Sequence, residues 1–224
     1  MDARLAVIIP TLNEAARICA ALEALAPLRA RGHQVIVVDG ASDDATAELA
    51  APLCDRVLSA PRGRAVQLNA GARAAHAGAL VFLHADTRLP ERADEHILRA
   101  LEEACWGRFD VRIESRHRLL KLVACAMNLR SRATGIATGD QAIFVRRDAF
   151  AGFPEIALME DIAFSRAMKR RGRPACLRER VSTSGRRWEA RGVLRTIVLM
   201  WRLRLLYALG VAPQRLARQY ADQR

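Results

Sequence analysis

Apolar positions in the first half of the chain come in short unbroken runs, and each run is followed by a segment whose apolar residues recur every three to four positions. "RLAVIIP" and "QVIVVD" read as strands buried on both faces, because a half-exposed strand would alternate apolar with polar side chains, and "DRVLSA" and "ALVFLH" read as the third and fourth strands. Between them, "TLNEAARICAALEAL", "DATAELAAPL" and "AVQLNAGARAAHA" carry helical spacing, as in Ile18, Leu22 and Leu25. Asn13 is the candidate cap of the first helix, with Glu14 in its first turn. Strands alternating with helices predict an α/β fold with a mostly parallel central sheet flanked by helices.

The second half is less regular. "RADEHILRALEEACW" and "HRLLKLVACAMNLRSRA" predict helices, the latter basic and amphipathic, and "GRFDVRIES" predicts a strand between them. "TGDQAIFVRRDAF" reads as a strand between two turns. "MEDIAFSRAMKRRG" is a helix opened by acids and closed by bases and Gly172, as the helix dipole favours. "RPACLRERVSTSGRRW" reads as a strand and a loop. Val193 to Leu209 forms a last helix, apolar on most faces, with Arg187, Arg191, Arg195 and Arg202 in one sector. Such a C-terminal amphipathic helix can lie in an anionic membrane interface, pack on the domain, or pair with a second subunit.

In parallel sheets ligands bind beyond the carboxyl ends of the strands. Three of the four first-half strands end in polar groups: Thr11, Asn13 and Glu14; Asp39; His84 and Asp86. GxGxxG and GxxxxGK[ST] are both absent, which excludes the usual dinucleotide and P-loop sites but leaves nucleotide binding by strand-end carboxylates open. Arg62 and Arg64 flank Gly63 just before a helix, where a phosphate can sit.

Composition narrows the class. With 224 residues, 51% of them hydrophobic, the chain can bury a single core. Its five cysteines are widely spaced and include no CxxC pair, so neither a disulfide framework nor a zinc knuckle is expected, and a reducing cytoplasm fits. The amino terminus lacks a signal-peptide pattern, and no apolar run is long enough to span a bilayer. The net charge of +12 is split: residues 1–111 carry −3 and residues 112–224 carry +15. The basic half is expected to face something anionic. Nucleic acid is the obvious candidate for a basic protein, but aromatics make up only 5% of the chain and acids stand at the strand ends, which argues against it.

"VIIPTLNEA", "VVDGASDD", "LHADT" and "MEDIAFSRAMKRRG", in this order, resemble family 2 glycosyltransferases of the GT-A fold over roughly residues 5 to 190. "GRAVQLNAGA", "FLHADT" and "GDQAIF" are further similar to a bacterial subgroup associated with radical-SAM or selenium-domain proteins. The resemblance implies that Pro10, Thr11, Asn13, Glu14 and Asp39 hold the base and ribose of a nucleotide, since a carboxylate accepts hydrogen bonds from a base N–H or a ribose hydroxyl. Arg64 joins that set.

By the same resemblance "HADT" stands where the family carries its metal motif. Asp86 is then the ligand of a Mn²⁺ or Mg²⁺ ion that bridges diphosphate oxygens. His84 departs from the acidic pattern; imidazole suits Mn²⁺ better than Mg²⁺, so His84 is assigned to ribose or phosphate instead. Asp161 takes the role of the base, with Glu160, Asp140 and Gln141 lining the acceptor pocket. "GRRW" lies where processive relatives carry QxxRW, but Ser184 replaces the glutamine, which argues for a single-transfer enzyme. Arg186 or Arg187 is left to touch the diphosphate, and Trp188 to stack on a sugar or to pack in the core.

The expectation is therefore a non-processive, metal-dependent, inverting transferase that uses a UDP- or GDP-linked sugar and a small-molecule or lipid acceptor. A retaining transferase is the nearest alternative, and a nucleic-acid-binding protein or a non-catalytic membrane-associated scaffold the more distant ones. Residues 1–190 form the catalytic domain, with a nucleotide half (1–111) and an acceptor half (112–190), and residues 191–224 form a helical tail. Further expected partners are an anionic membrane surface and a second copy in a homodimer; nucleic acid is not one.

Overall fold

The computed structural model describes residues 4–221. Strands β1 (Leu5–Thr11), β2 (Gln34–Asp39), β3 (Arg56–Ser59) and β4 (Ala79–Phe82) run parallel in the spatial order 3-2-1-4. They are linked by helices α1 (Ala15–Glu23), α2 (Ala26–Ala30), α3 (Thr46–Ala50) and α4 (Arg64–Ala74). The chain continues through β5 (Thr87–Arg88), α5 (Ala93–Glu103), β6 (Trp106–Glu114), α6 (Arg118–Thr134), β7 (Phe144–Arg146), α7 (Glu160–Lys169) and β8 (Ala175–Ser184). Three helices close it: α8 (Arg186–Arg191), α9 (Val193–Ala208) and α10 (Pro213–Ala221).

All eight strands join one sheet, in which β7 is antiparallel to both β4 and β6, β8 is parallel to β6, and β5 is antiparallel to β8. The antiparallel β7 matters for function. It enters the sheet at the edge where β4 leaves, with Phe144 opposite Val81, so residues 138–141 arrive beside His84 and Asp86. The short β5 acts similarly: Thr87 pairs with Thr183, and the Ser184 N–H donates to the Asp86 carbonyl at 3.2 Å, which pins the "HADT" turn to the end of β8.

Strands β1 and β2 are buried on both faces, as their unbroken apolar runs predict. Leu5, Val7 and Ile9 pack on one side with α1, α5 and α6, and Ala6 and Ile8 pack on the other against α4. Gly71 permits the second contact, because a Cβ there would lie 2.4 Å from Ile8 Cγ2. At the far end of the sheet from the strand tips, buried Asp94 accepts hydrogen bonds from Arg31 Nε (2.7 Å) and Nη2 (3.0 Å) and lies 3.0 Å from His33 Nε2. Burial alone would raise the Asp94 pKa, but the hydrogen bonds from Arg31 and His33 outweigh it and hold the carboxyl at about 2. A depressed folded-state pKa stabilises the fold above the ordinary carboxylate range, and the gain is lost as pH falls from about 4 through 2. Asp94→Asn is therefore expected to cost about 2 kcal/mol at neutral pH, and to cost progressively less in acid; urea denaturation at pH 7 and pH 3 measures both.

Several expectations need correction. Asn13 does not cap α1. It has a positive φ of 54°, and its Oδ1 accepts from the Asp43 N–H at 2.8 Å; α1 is tied down by Asp44, which accepts from the Ala15 N–H. The helix in "RADEHILRALEEACW" stops at Glu103, and Trp106 is buried in β6 with its indole N–H donating to the Gly172 carbonyl. Within the "GRRW" segment the chain turns into α8 rather than a loop, and α10 follows α9. Of the three fates open to the last long helix, packing on the domain is realised by one face: Thr196, Leu199 and Leu203 are buried, and Leu199, Leu203 and Leu216 of α10 cluster with Met159 and Ile162 at the start of α7. No helix among the described residues is long and apolar enough to cross a membrane.

Candidate active site

A cavity of about 720 Å³ opens at the carboxyl edge of the sheet. Pro10, Thr11, Asn13 and Glu14 line it from the end of β1, His84 and Asp86 from the end of β4, and Arg64 from the start of α4. Gly139 and Asp140 come from the turn before β7, and Met159, Glu160 and Asp161 from the start of α7. The last three helices close the remaining side, with Arg186, Trp188 and Arg191 of α8, Thr196, Met200 and Arg204 of α9, and Ala217 and Tyr220 of α10.

Two expected site residues do not reach this wall. Asp39 is buried behind it, where it accepts from the Thr11 hydroxyl at 3.2 Å and from the Ser42 N–H at 2.8 Å, so it braces the tips of β1 and β2. Gln141 is fully buried. Its Oε1 accepts from the Thr138 N–H at 3.2 Å in a capping box, and its Nε2 lies 3.4 Å from Asn128 Oδ1, so its amide shapes the 139–141 turn from within. The side chain of Arg187 lies outside the described residues. Trp188 packs on the main core cluster, and it also borders the cavity.

Asp161 is the electrostatic centre. Its Oδ2 accepts from the Gly139 N–H at 3.1 Å and its Oδ1 from the Ile162 N–H at 2.7 Å. Desolvation pushes its pKa up, the neighbouring Glu160 adds to the rise, and the two N–H groups and Arg64 counter only part of it; the result is about 6. Met159, immediately before this pair, adopts a left-handed conformation (φ 70°) that costs a non-glycine residue on the order of 1 kcal/mol. Packing of its side chain into the tail cluster holds the turn in place.

Glu160 is buried and pairs with Arg64 Nη1 at 3.2 Å across 96 positions of sequence. Burial works to lower the Arg64 pKa, but Glu160, Asp161 and Asp140 outweigh it and the net shift is upward. Arg130 of α6 stands within the field of Asp161, its pKa lowered by burial, and its Nε and Nη2 are buried without hydrogen-bond partners.

His84 lines the cavity and lies against the turn before β7. Its Nδ1 lies 3.3 Å from Asp140 Oδ1, and its ring lies so close to Gly139 that a Cβ there would meet Nε2 at 2.5 Å. The Asp86 carboxylate is only lightly engaged, through a 3.4 Å contact from the Thr87 hydroxyl. No group of three or more His, Cys, Asp or Glu side chains among the described residues is arranged to hold a metal. One lightly engaged carboxylate in a cavity fits a cation that takes its remaining ligands from substrate phosphates, which is how Mg²⁺ and Mn²⁺ sites at diphosphates are commonly built.

Sequence reasoning missed the scaffold inside "GRAVQLNAGA". Gln67 Nε2 donates to the carbonyls of Thr11 and Val38, each at 2.8 Å, and ties together the tips of β1 and β2. Asn69 both donates to the Phe153 carbonyl (2.9 Å) and accepts from its N–H (2.8 Å), which anchors the loop leading to α7. Amides on the buried side of an otherwise apolar helix were the available signal. The α9 and α10 residues that close the cavity, Thr196, Met200, Arg204, Ala217 and Tyr220, had no such signal.

Residues 6–158 match the profile described as Glycosyl transferase family 2. The chain belongs to this family. Among solved structures, the family 2 chain is similar to the mannosyltransferase PcManGT from Pyrobaculum calidifontis in complex with GDP-Man and Mn²⁺, with 24% identity and a TM-score of 0.60 over 80% of this chain and 56% of that one. It is also similar to S. aureus TarS in complex with UDP (18% identity, TM-score 0.66, 81% and 60% of the two chains). A third likeness is to glucosyl-3-phosphoglycerate synthase from Mycobacterium tuberculosis in complex with Mg²⁺ and uridine diphosphate (16% identity, TM-score 0.55, 80% and 70%). These likenesses establish the GT-A fold, and the chain spans only 56% and 60% of the length of the first two. No curated protein matches the chain.

Proposed function

We propose that this family 2 chain transfers a single sugar from a UDP- or GDP-linked donor to an acceptor hydroxyl, with inversion and with a divalent cation at the diphosphate. The observation that carries the reading is one cavity in which a carboxylate of raised pKa, Asp161, faces the strand-end residues Pro10 to Glu14 and Asp86. Residues 1–190 act as the catalytic domain in this reading, and the tail helices close its cleft.

Pro10, Thr11, Asn13 and Glu14 take the nucleoside, with Asp39 and Gln67 bracing the tips that present them. Asp86 holds the cation, Mn²⁺ or Mg²⁺, which when bound offsets the charge of the departing diphosphate. Arg64 and Arg186, which line the same cavity, are its cationic companions in this reading. Asp161 removes the proton from the acceptor hydroxyl; that oxygen bonds to the anomeric carbon, and the nucleoside diphosphate leaves from the opposite face with the bonding electrons. Glu160 keeps the Asp161 pKa high, and Asp140 with His84 contacts the acceptor or the donor ribose. Gln141 serves by shaping the turn.

The acceptor is a small molecule or a lipid, and the motifs "GRAVQLNAGA" and "GDQAIF" support a place in the radical-SAM or selenium-domain-associated subgroup. Five unpaired cysteines support a cytoplasmic setting.

Thermal-shift measurements with UDP- and GDP-sugars, with and without Mn²⁺, test the donor reading, because a ligand that binds only the folded state raises its melting temperature. A shift with one sugar nucleotide in the presence of Mn²⁺ is expected; no shift with any of them would refute it. The anomeric configuration of the product separates inversion from retention.

Gly139→Ala tests the arrangement of the turn. The added methyl displaces the His84 ring and disturbs the N–H that holds Asp161, so kcat/KM is expected to fall roughly tenfold to a hundredfold with little change in melting temperature. Wild-type kinetics in this variant would remove His84 and the turn from the mechanism.

A further inference from the structure

Helix α9 buries one face on the domain and leaves the other bare. Leu194, Val198, Trp201, Leu205 and Leu209, at its end, are 60–74% exposed. At about 100° per residue these five side chains fall within an arc of roughly 80°, a continuous apolar stripe more than four turns long. Exposed single leucines are ordinary, but an aligned row of five that includes a tryptophan is not. Arg195 and Arg202 are exposed along one border of the stripe, seven residues or about 10 Å apart.

Charge decides what covers the stripe. From Ala190 to Ala221 the chain holds Arg191, Arg195, Arg202, Arg204, Arg215 and Arg218 and no Asp or Glu. A second copy docking through this face about a two-fold axis would set arginines against arginines with no carboxylate on the segment to offset them. Nucleic acid matches the charge but offers nothing to the row of leucines. An anionic bilayer matches both: acyl chains take the leucines and the valine, the indole of Trp201 sits at the headgroup level, and the arginines reach lipid phosphates.

We propose that the exposed face of α9 binds an anionic lipid bilayer, with Trp201 and Leu205 inserted and Arg195 and Arg202 on the headgroups. The opposite flank of the same helix, through Thr196, Met200 and Arg204, lines the cleft. Binding therefore holds the cleft about one helix diameter, roughly 10 Å, from the lipid surface.

The full chain is tested by co-sedimentation with vesicles of equimolar phosphatidylcholine and phosphatidylglycerol, and with phosphatidylcholine alone. Binding at least tenfold tighter to the anionic vesicles is expected, with a shift of tryptophan emission to shorter wavelength. Trp201→Glu and Leu205→Glu should each weaken binding at least tenfold without lowering the melting temperature. Arg195→Gln and Arg202→Gln should each cost about fivefold, on anionic vesicles only. No binding to anionic vesicles, or undiminished binding by Trp201→Glu, overturns the proposal. A dimer in light scattering that Trp201→Glu converts to monomer would assign the face to a second copy, and RNA binding lost in the same variant would assign it to nucleic acid. None of these readouts depends on sugar transfer, so the lipid proposal and the proposed reaction fail separately.

Discussion

Asp161→Asn is expected to slow sugar transfer by roughly 10²- to 10⁴-fold while sugar-nucleotide binding persists, because proton removal by a positioned base contributes on that scale. The variant should fold. Asparagine keeps the shape and one acceptor oxygen, and it removes a carboxylate that desolvation and Glu160 both disfavour. The base also predicts a pH profile. With a pKa of about 6, Asp161 is protonated in acid, so kcat/KM should fall roughly tenfold per unit below pH 6 and level off above it. Glu160→Gln removes a like charge and frees Arg64 from its pair, and both changes favour ionised Asp161, so the acid limb should move to lower pH.

The same residue affects stability in a direction that can be worked out. A carboxyl whose pKa is raised from 3.8 to about 6 holds its proton more tightly in the folded state. Its contribution to stability therefore declines as pH rises from about 4 to 6 and is constant above. Asp161→Asn should lack this decline, and melting curves of both proteins between pH 4 and pH 7 measure the difference. Full transfer activity in Asp161→Asn would sink its assignment as the base.

The second large effect concerns Asp86. In the proposed reading Asp86 shares the cation with substrate phosphates, in keeping with the lack of a group of three metal-ligating side chains among the described residues. Mn²⁺ alone should leave the melting temperature nearly unchanged, and nucleotide with Mn²⁺ should raise it by more than nucleotide without it. Asp86→Ala should erase that additional rise and cut transfer at least a hundredfold, a loss in keeping with several kcal/mol of charge stabilisation. His84→Gln should leave the metal-dependent rise intact, since the ring is held by Asp140 and Gly139. A strong shift with Mn²⁺ alone would refute the shared-ligand reading, and a metal response that survives Asp86→Ala would move the cation elsewhere.

Much of this site was legible before any coordinates. "PTLNEA", "HADT" and "MED" each sit at the end of a strand or the start of a helix, and Pro10 to Glu14, His84 to Asp86 and Met159 to Asp161 line one cavity. Asp39 and Gln141 were equally conspicuous, yet both point inward, where one braces the strand tips and the other caps a turn. A polar residue at a strand end looks the same in sequence whether it faces ligand or scaffold; only its neighbours decide. Asn13 illustrates the same limit, since a residue chosen as a helix cap serves through its backbone turn and a bond to the Asp43 N–H.

Local pattern was enough for the α/β class, seven of the eight strands, the strand-end chemistry and the split of charge, because burial on both faces leaves its record in unbroken apolar runs. Long-range contacts settled the rest. The antiparallel entry of β7 brought Gly139 to Asp161 and His84, the two-residue β5 fixed Asp86 against β8, and Arg64 met Glu160 across 96 positions. The tail was decided in the same way. Its apolar residues nearly encircle α9 in sequence, and only the docking of Leu199 and Leu203 on Met159 and Ile162 separated the face that closes the cleft from the face left open to solvent.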